Sequence, residues 1–128
     1  MAHILIIESD KILASNLSAH LKNAGHSVDW QVSPQDAITS ADSKKPDLVI
    51  LDLLLASRSG VEFLYEFRSY PDWQKVPVII LSSLPLQDIK ASISSLQHLN
   101  VAAFHHKHAT SLKALSYAID QALQAALV

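Results

Sequence analysis

Leu48-Val49-Ile50-Leu51-Asp52 is the stretch on which the fold turns. Four consecutive apolar residues with no alternation read as a strand buried on both faces, the kind found in parallel sheets. Ending on a carboxylate puts that group at the strand's C-terminal edge, where open α/β sheets bind their ligands. Ile4-Leu5-Ile6-Ile7 repeats the pattern and runs into Glu8-Ser9-Asp10. Side by side, the two strands bring several acids into one crevice. Like charges held that close raise each other's proton affinity, so the arrangement asks for a cation or an incoming phosphoryl group.

Outward from this pair the chain alternates strand and helix. Ile12, Leu13, Leu17 and Leu21 follow helical spacing, and Gly25 supplies a stop, which predicts a helix over 10–24. Val28, Trp30 and Val32 alternate as a half-buried strand. Ser33 and Pro34 then read as an N-cap and first helical position of a short helix reaching Asp42. Lys44-Lys45-Pro46-Asp47 is a surface turn into the Asp52 strand. Val61, Phe63, Leu64 and Phe67 mark a third helix that Tyr70-Pro71-Asp72 ends. A fourth strand follows at 77–81, a serine-rich helix at 87–96, and a fifth strand at Val101-Ala102-Ala103-Phe104. Leu112, Leu115, Ile119 and Leu123 define an alanine-rich terminal helix. Five repeats of strand then helix predict one α/β domain over 1–128. It is a five-stranded parallel sheet with helices on both faces and right-handed crossovers. In the flavodoxin-like order 2-1-3-4-5, the first and third strands are neighbours beneath the crevice.

Composition narrows the function. The 128 residues suffice for one core, with roughly two-thirds of the unfolded surface buried. There is no cysteine, so disulfides and thiolate metal sites are excluded and a reducing cytoplasm is the expected setting. No apolar run approaches the ~20 residues of a membrane span, and Met1-Ala2-His3 lacks the zones of a signal peptide. Ten basic and twelve acidic residues are scattered along the chain, which predicts no direct nucleic-acid contact. Only Gly25 and Gly60 are glycine, so no glycine-rich phosphate cradle exists and a nucleotide or flavin enzyme is disfavoured.

The expected strand tips carry Glu8, Ser9 and Asp10, then Asp52, then Ser82-Ser83, with Lys107 just past the fifth strand. Each residue type suits phosphoryl chemistry. An aspartate attacks phosphorus to form an aspartyl phosphate, neighbouring acids hold magnesium, and a hydroxyl and an ammonium bind the remaining phosphoryl oxygens. This ordered set resembles the receiver domain of two-component response regulators over essentially the whole chain. The resemblance implies that Asp52 is the phosphoacceptor, with Lys107 and Ser82 assisting. It implies magnesium held by Glu8, Asp10, Asp52 and the backbone carbonyl of Leu54, and a conformational switch at Ser82 and Phe104. Gly60, eight positions after Asp52, also matches. The chain departs from the family pattern at several positions, among them Asn100-Val101, which stand for a Gly-Ala before the fifth strand's aromatic, and in a longer segment between Ser82 and Lys107. Ser9 stands for the second acid of the pair, Ala56 for a proline, and His108 for the proline after the lysine.

Taken singly, these residues have plainer readings: a strand-end aspartate capping a turn, a solvated Glu8, an Asp10 that caps a helix, a surface lysine, a core Phe104. Their joint order on the strand tips favours a domain that is not an enzyme in the ordinary sense. It would accept a phosphoryl group on Asp52 from a histidine kinase or histidine phosphotransfer protein and signal to a downstream protein target. Because no effector domain follows residue 128, output is expected through protein binding. The alanine-rich final helix would allow close contact in a homodimer. Ser9 supports the alternative, a phosphorylation-independent pseudo-receiver. Hydrolases with an aspartyl intermediate generally need a second acid shortly after the nucleophile, where this chain has Leu54. His105, His106 and His108 lack the second ligand cluster that a transition-metal site needs, and the expectation for their imidazoles is the milder one that they would make the charge around Lys107 depend on pH.

Overall fold

The computed structural model of the chain describes residues 2–53, 60–83, 97–107 and 109–126. Its strands are β1 (His3–Ile7), β2 (Ser27–Gln31), β3 (Leu48–Leu51), β4 (Val78–Ser82) and β5 (Val101–His106). All pairings are parallel, in the order β2-β1-β3-β4-β5, so the predicted sheet is the observed one. The helices are α1 (Lys11–Asn23), α2 (Pro34–Ser43), α3 (Gly60–Ser69) and, at the C-terminal end, α4 (Leu112–Ala126). The serine-rich helix expected over 87–96 lies outside the described residues, as do Leu54, Ala56 and His108.

The apolar runs work because a strand's side chains alternate between faces. Ile4, Ile6, Leu48, Ile50, Ile79 and Leu81 point to one side, where Leu17 and Leu21 of α1 and Leu115 and Ile119 of α4 cover them. Leu5, Ile7, Val49, Leu51, Val78 and Ile80 point to the other, under Ala37 and Ile38 of α2 and Phe63, Leu64 and Phe67 of α3. With both faces covered, β3 has no room for a polar residue before Asp52.

Local signals explain the helix ends. Ser33 Oγ accepts from the Asp36 N–H at 3.2 Å, with Pro34 opening α2. Gly25 takes a positive φ of 97° just after α1, the conformation glycine adopts at no steric cost. Pro71 follows α3 and opens a 3₁₀ turn, Pro71–Trp73.

Several expectations from periodicity give way to tertiary context. Ile12 has helical spacing yet is 76% exposed, because the apolar stripe of α1 begins one residue later. Val32 falls beyond the end of β2 and is exposed, and Leu112 sits at the solvent-facing start of α4. Strand β2 does not alternate cleanly. Val28 and Trp30 pack towards α1, but Asp29 and Gln31 are also half-buried, bonded to each other at 2.9 Å, with the Ser40 hydroxyl of α2 donating to Asp29. Pro46, placed by the sequence in a surface turn, is buried between exposed neighbours.

Candidate functional site

The C-terminal edge of the sheet gathers two carboxylates and one ammonium. Lys107 Nζ lies 2.7 Å from Asp52 Oδ2 and donates to Glu8 Oε2 at 2.9 Å. Glu8 Oε1 is also 2.7 Å from the ammonium, in ion-pair contact but without hydrogen-bond alignment, and it is buried. Glu8 and Asp52 are 3% and 1% exposed, so one half-screened lysine balances two acids taken out of water. The two carboxylates belong to adjacent strands paired Ile7 to Leu51. Ser82 is buried at the tip of β4, next along the sheet, with a backbone carbonyl that accepts from the Lys107 N–H at 2.9 Å. Thus β4 fixes where the lysine leaves β5, and the side chain reaches back across two strands to Glu8.

Backbone contacts hold the acids in place. The Asp52 N–H donates to Ile7 O at 3.0 Å and the Glu8 N–H to Gln31 O at 3.1 Å. Gly60 rests on the peptide that follows Asp52. A Cβ there would lie 2.2 Å from Asp52 O and 2.9 Å from Leu53 Cα, while the Gly60 N–H donates to Leu53 O at 2.9 Å. The glycine in the sequence motif is therefore demanded by close approach. Trp30 is a site residue that sequence reading placed only in a strand: its Nε1 donates to Glu8 O at 2.8 Å. An indole N–H needs a partner when its ring is covered, and that need was the one available clue.

Electrostatics follow from one cation serving two acids. Burial raises the Glu8 pKa above its usual value, and hydrogen bonding and charge from Asp52 add to the rise, against the opposing Lys107 ammonium and Asp10 N–H. Burial works to lower the Lys107 pKa, but hydrogen bonds and charge from Asp52 and Glu8 outweigh it and the net shift is upward. The ammonium gains from the contact while Glu8 remains short of positive charge.

Asp10 is placed otherwise than the magnesium set implied. It is exposed and caps α1, with Oδ1 accepting from the Ile12 N–H at 3.0 Å and the Leu13 N–H at 3.2 Å. Its backbone N–H, in turn, donates to Glu8 Oε2 at 3.1 Å. Ser9 offers only a hydroxyl, and the Leu54 carbonyl is outside the described residues. Among the described residues no three His, Asp or Glu side chains converge as a metal-binding group. A small dication needs oxygens around it and keeps some of its waters. Here the two converging carboxylates already hold an ammonium, and this donor set does not fit a resident magnesium ion. Phe104 is partly buried against the α2 and α3 side of the core, so it is neither sealed in nor free on the surface. His105 and His106 close β5 beside Lys107.

The family profile described as "Response regulator receiver domain" matches residues 4–98. Curated relatives include the KDP operon transcriptional regulatory protein KdpE of Escherichia coli, 36% identical over 83 residues, covering 65% of this chain and 36% of that protein. Response regulator ArlR of Staphylococcus aureus matches to the same extent, so the matched stretch spans about a third of either relative's length. Among solved structures, a response regulator from Chloroflexus aurantiacus described as putative superposes with a TM-score of 0.84 at 24% identity, covering 96% of this chain and 98% of that one. A CheY-like receiver domain protein from Methanospirillum hungatei reaches 0.86 at 15% identity, covering 98% and 96%. These two likenesses establish the fold.

Proposed function

The chain belongs to the response regulator receiver family, and from that premise we propose that Asp52 accepts a phosphoryl group from a histidine kinase or histidine phosphotransfer protein. The observation that carries this reading is the buried Asp52 carboxylate, 2.7 Å from the Lys107 ammonium at the sheet edge where such folds bind ligands. A carboxylate oxygen of Asp52 forms the new P–O bond as the donor's P–N bond breaks, and the imidazole leaves with a proton. Lys107 supplies positive charge to the phosphoryl oxygens, and the Ser82 hydroxyl on the neighbouring strand donates to one of them. The added charge biases two packings of the β4–β5 edge, of which half-buried Phe104 is a part. The output is contact with a downstream protein.

Receiver domains are in general not enzymes, and here the protein's part is to position its own acceptor. Magnesium, the family's usual cofactor, has no step in this account, because the donors present do not fit it. The cysteine-free sequence suits a reducing cytoplasm. Among the described residues, no helix is long and apolar enough to cross a membrane.

Intact-protein mass after incubation with a small acyl phosphate tests the reading. One phosphoryl adduct on wild type and none on Asp52→Asn is expected, and an unmodified wild type would overturn it. Ser9 and the closed Lys107 contact favour a second reading, a pseudo-receiver that binds its partner without phosphorylation. In that case Asp52→Asn would leave partner binding unchanged.

A further inference from the structure

We propose that the Lys107 ammonium is the resident counter-cation of this site, filling the electrostatic role for which the family ordinarily uses a divalent ion, so that the resting site is closed to magnesium. The inference deepens the receiver reading and rests on it for the comparison with a divalent ion.

Three observations converge. The ammonium lies within 2.7–2.9 Å of both buried carboxylates, so any dication reaching them meets a positive charge already in contact with its ligands. The acidic set is reduced. Ser9 is neutral, and the Asp10 carboxylate, one residue on, is engaged by two N–H groups at the start of α1. Finally, the lysine is fastened from behind, since its own N–H bonds Ser82 O at 2.9 Å. The backbone bond fixes where the lysine side chain starts, whereas magnesium must shed water to enter. Among the described residues, two acids and one cation leave a single net negative charge, a weak attraction for a dication against that dehydration.

The consequence is a reversal. Removing the ammonium should create magnesium affinity, because the buried Glu8 and Asp52 carboxylates would lose the cation that both of them contact. Adding a third carboxylate should do the same while the lysine stays, since one ammonium cannot balance three acids.

Thermal unfolding of the full chain, in chelator and then across a magnesium chloride series, tests this directly. Tryptophan fluorescence gives a second readout, because the Trp30 indole is bonded to the Glu8 carbonyl. Wild type is expected to show no saturable response at millimolar magnesium. Lys107→Met is expected to unfold at lower temperature in chelator and to recover by several degrees with magnesium, and this recovery should be lost when Glu8→Gln is added. If Lys107→Met does not fold in either condition, Ser9→Asp decides, with a saturable magnesium response expected. A saturable rise in wild type that Glu8→Gln removes would overturn the inference, as would the absence of any magnesium response in both Ser9→Asp and a folded Lys107→Met. No phosphodonor is present, so the result stands apart from whether Asp52 is phosphorylated, which the mass measurement decides.

Discussion

Two covered cations sit at opposite edges of this sheet, and they are partnered differently. At the C-terminal edge, Lys107 is held by two carboxylates. At the N-terminal edge, Arg68 makes no ion pair among the described residues. Its Nη1 donates to Trp73 O at 2.6 Å, Nε to Leu99 O at 2.7 Å and Nη2 to Asn100 O at 3.0 Å, and its guanidinium carbon lies 5.7 Å from the Phe67 ring. Phe63, Phe67 and Trp73 stack in succession beside it. Three carbonyls from two connections meet one rigid fork, which ties the end of α3 to the start of β5 and braces Asn100 at its positive φ of 57°. Burial pulls the Arg68 pKa down, but a guanidinium keeps its proton throughout the working range. The difference separates a structural charge from one that the proposed phosphorylation would act on. A charge satisfied by neutral carbonyls has nothing to exchange, while a charge shared between two acids is redistributed as soon as a third anionic group arrives.

The largest expected effect comes from breaking the fixed edge. Arg68→Ala leaves the carbonyls of Trp73, Leu99 and Asn100 without their donor and should cost about 3 kcal/mol in urea unfolding. Arg68→Lys should recover only a minor part, since an ammonium cannot reach three carbonyls in one plane. Neither change should alter the uptake of phosphoryl groups by molecules that remain folded. Gly60→Ala comes next. A methyl group 2.2 Å from Asp52 O forces the backbone apart, with an expected cost of about 2 kcal/mol. Unlike the Arg68 variants, it should also slow adduct formation, because the displaced peptide is that of Asp52, the proposed acceptor. Equal adduct rates in Gly60→Ala and Arg68→Lys would remove the functional distinction between the edges.

The two edges also differ in how far the sequence revealed them. Asp52, Glu8 and Ser82 were legible because each follows an apolar run directly, and the run fixes which edge its end occupies, while Lys107 was legible only as a lysine just past the fifth strand in the family's order. Gly60 was legible as a spacing, but its reason, contact with the Asp52 carbonyl, needed the backbone. Arg68 gave no signal. It stands in the last turn of an amphipathic helix, where a basic residue is expected on dipole grounds alone, and its partners are carbonyls up to 32 residues away. Asp10 misled for the opposite reason: a carboxylate beside the site and a carboxylate capping a helix are one letter in a sequence, and only the two N–H groups of α1 decide between them. Ile12 and Leu112 satisfied the helical period yet lie in the first turns of their helices and stay exposed, while Leu13 and Leu115 take up the packing.

At the adaptable edge the effects are smaller and carry a pH signature. The folded-state pKa of Lys107 is raised, so its stabilisation is complete below the unfolded value of about 10.4 and fades as pH climbs through the folded one. Lys107→Met should therefore lack part of the alkaline loss of stability seen in wild type. Glu8 gives the smallest and most discriminating signal. Its pKa is also raised, but for a carboxylate the sign is opposite to that of an acid stabilised by its partner. Between the unfolded value near 4.3 and its raised folded value, the folded chain binds more protons than the unfolded one, so this group makes stability fall as pH rises. Glu8→Gln should flatten that part of the profile, and it should do so while Lys107 keeps its bond to Asp52. A steeper fall in Glu8→Gln, or an unchanged one, would mean that the lysine satisfies both carboxylates equally, and the shortage of positive charge on which the contrast between the edges depends would be gone.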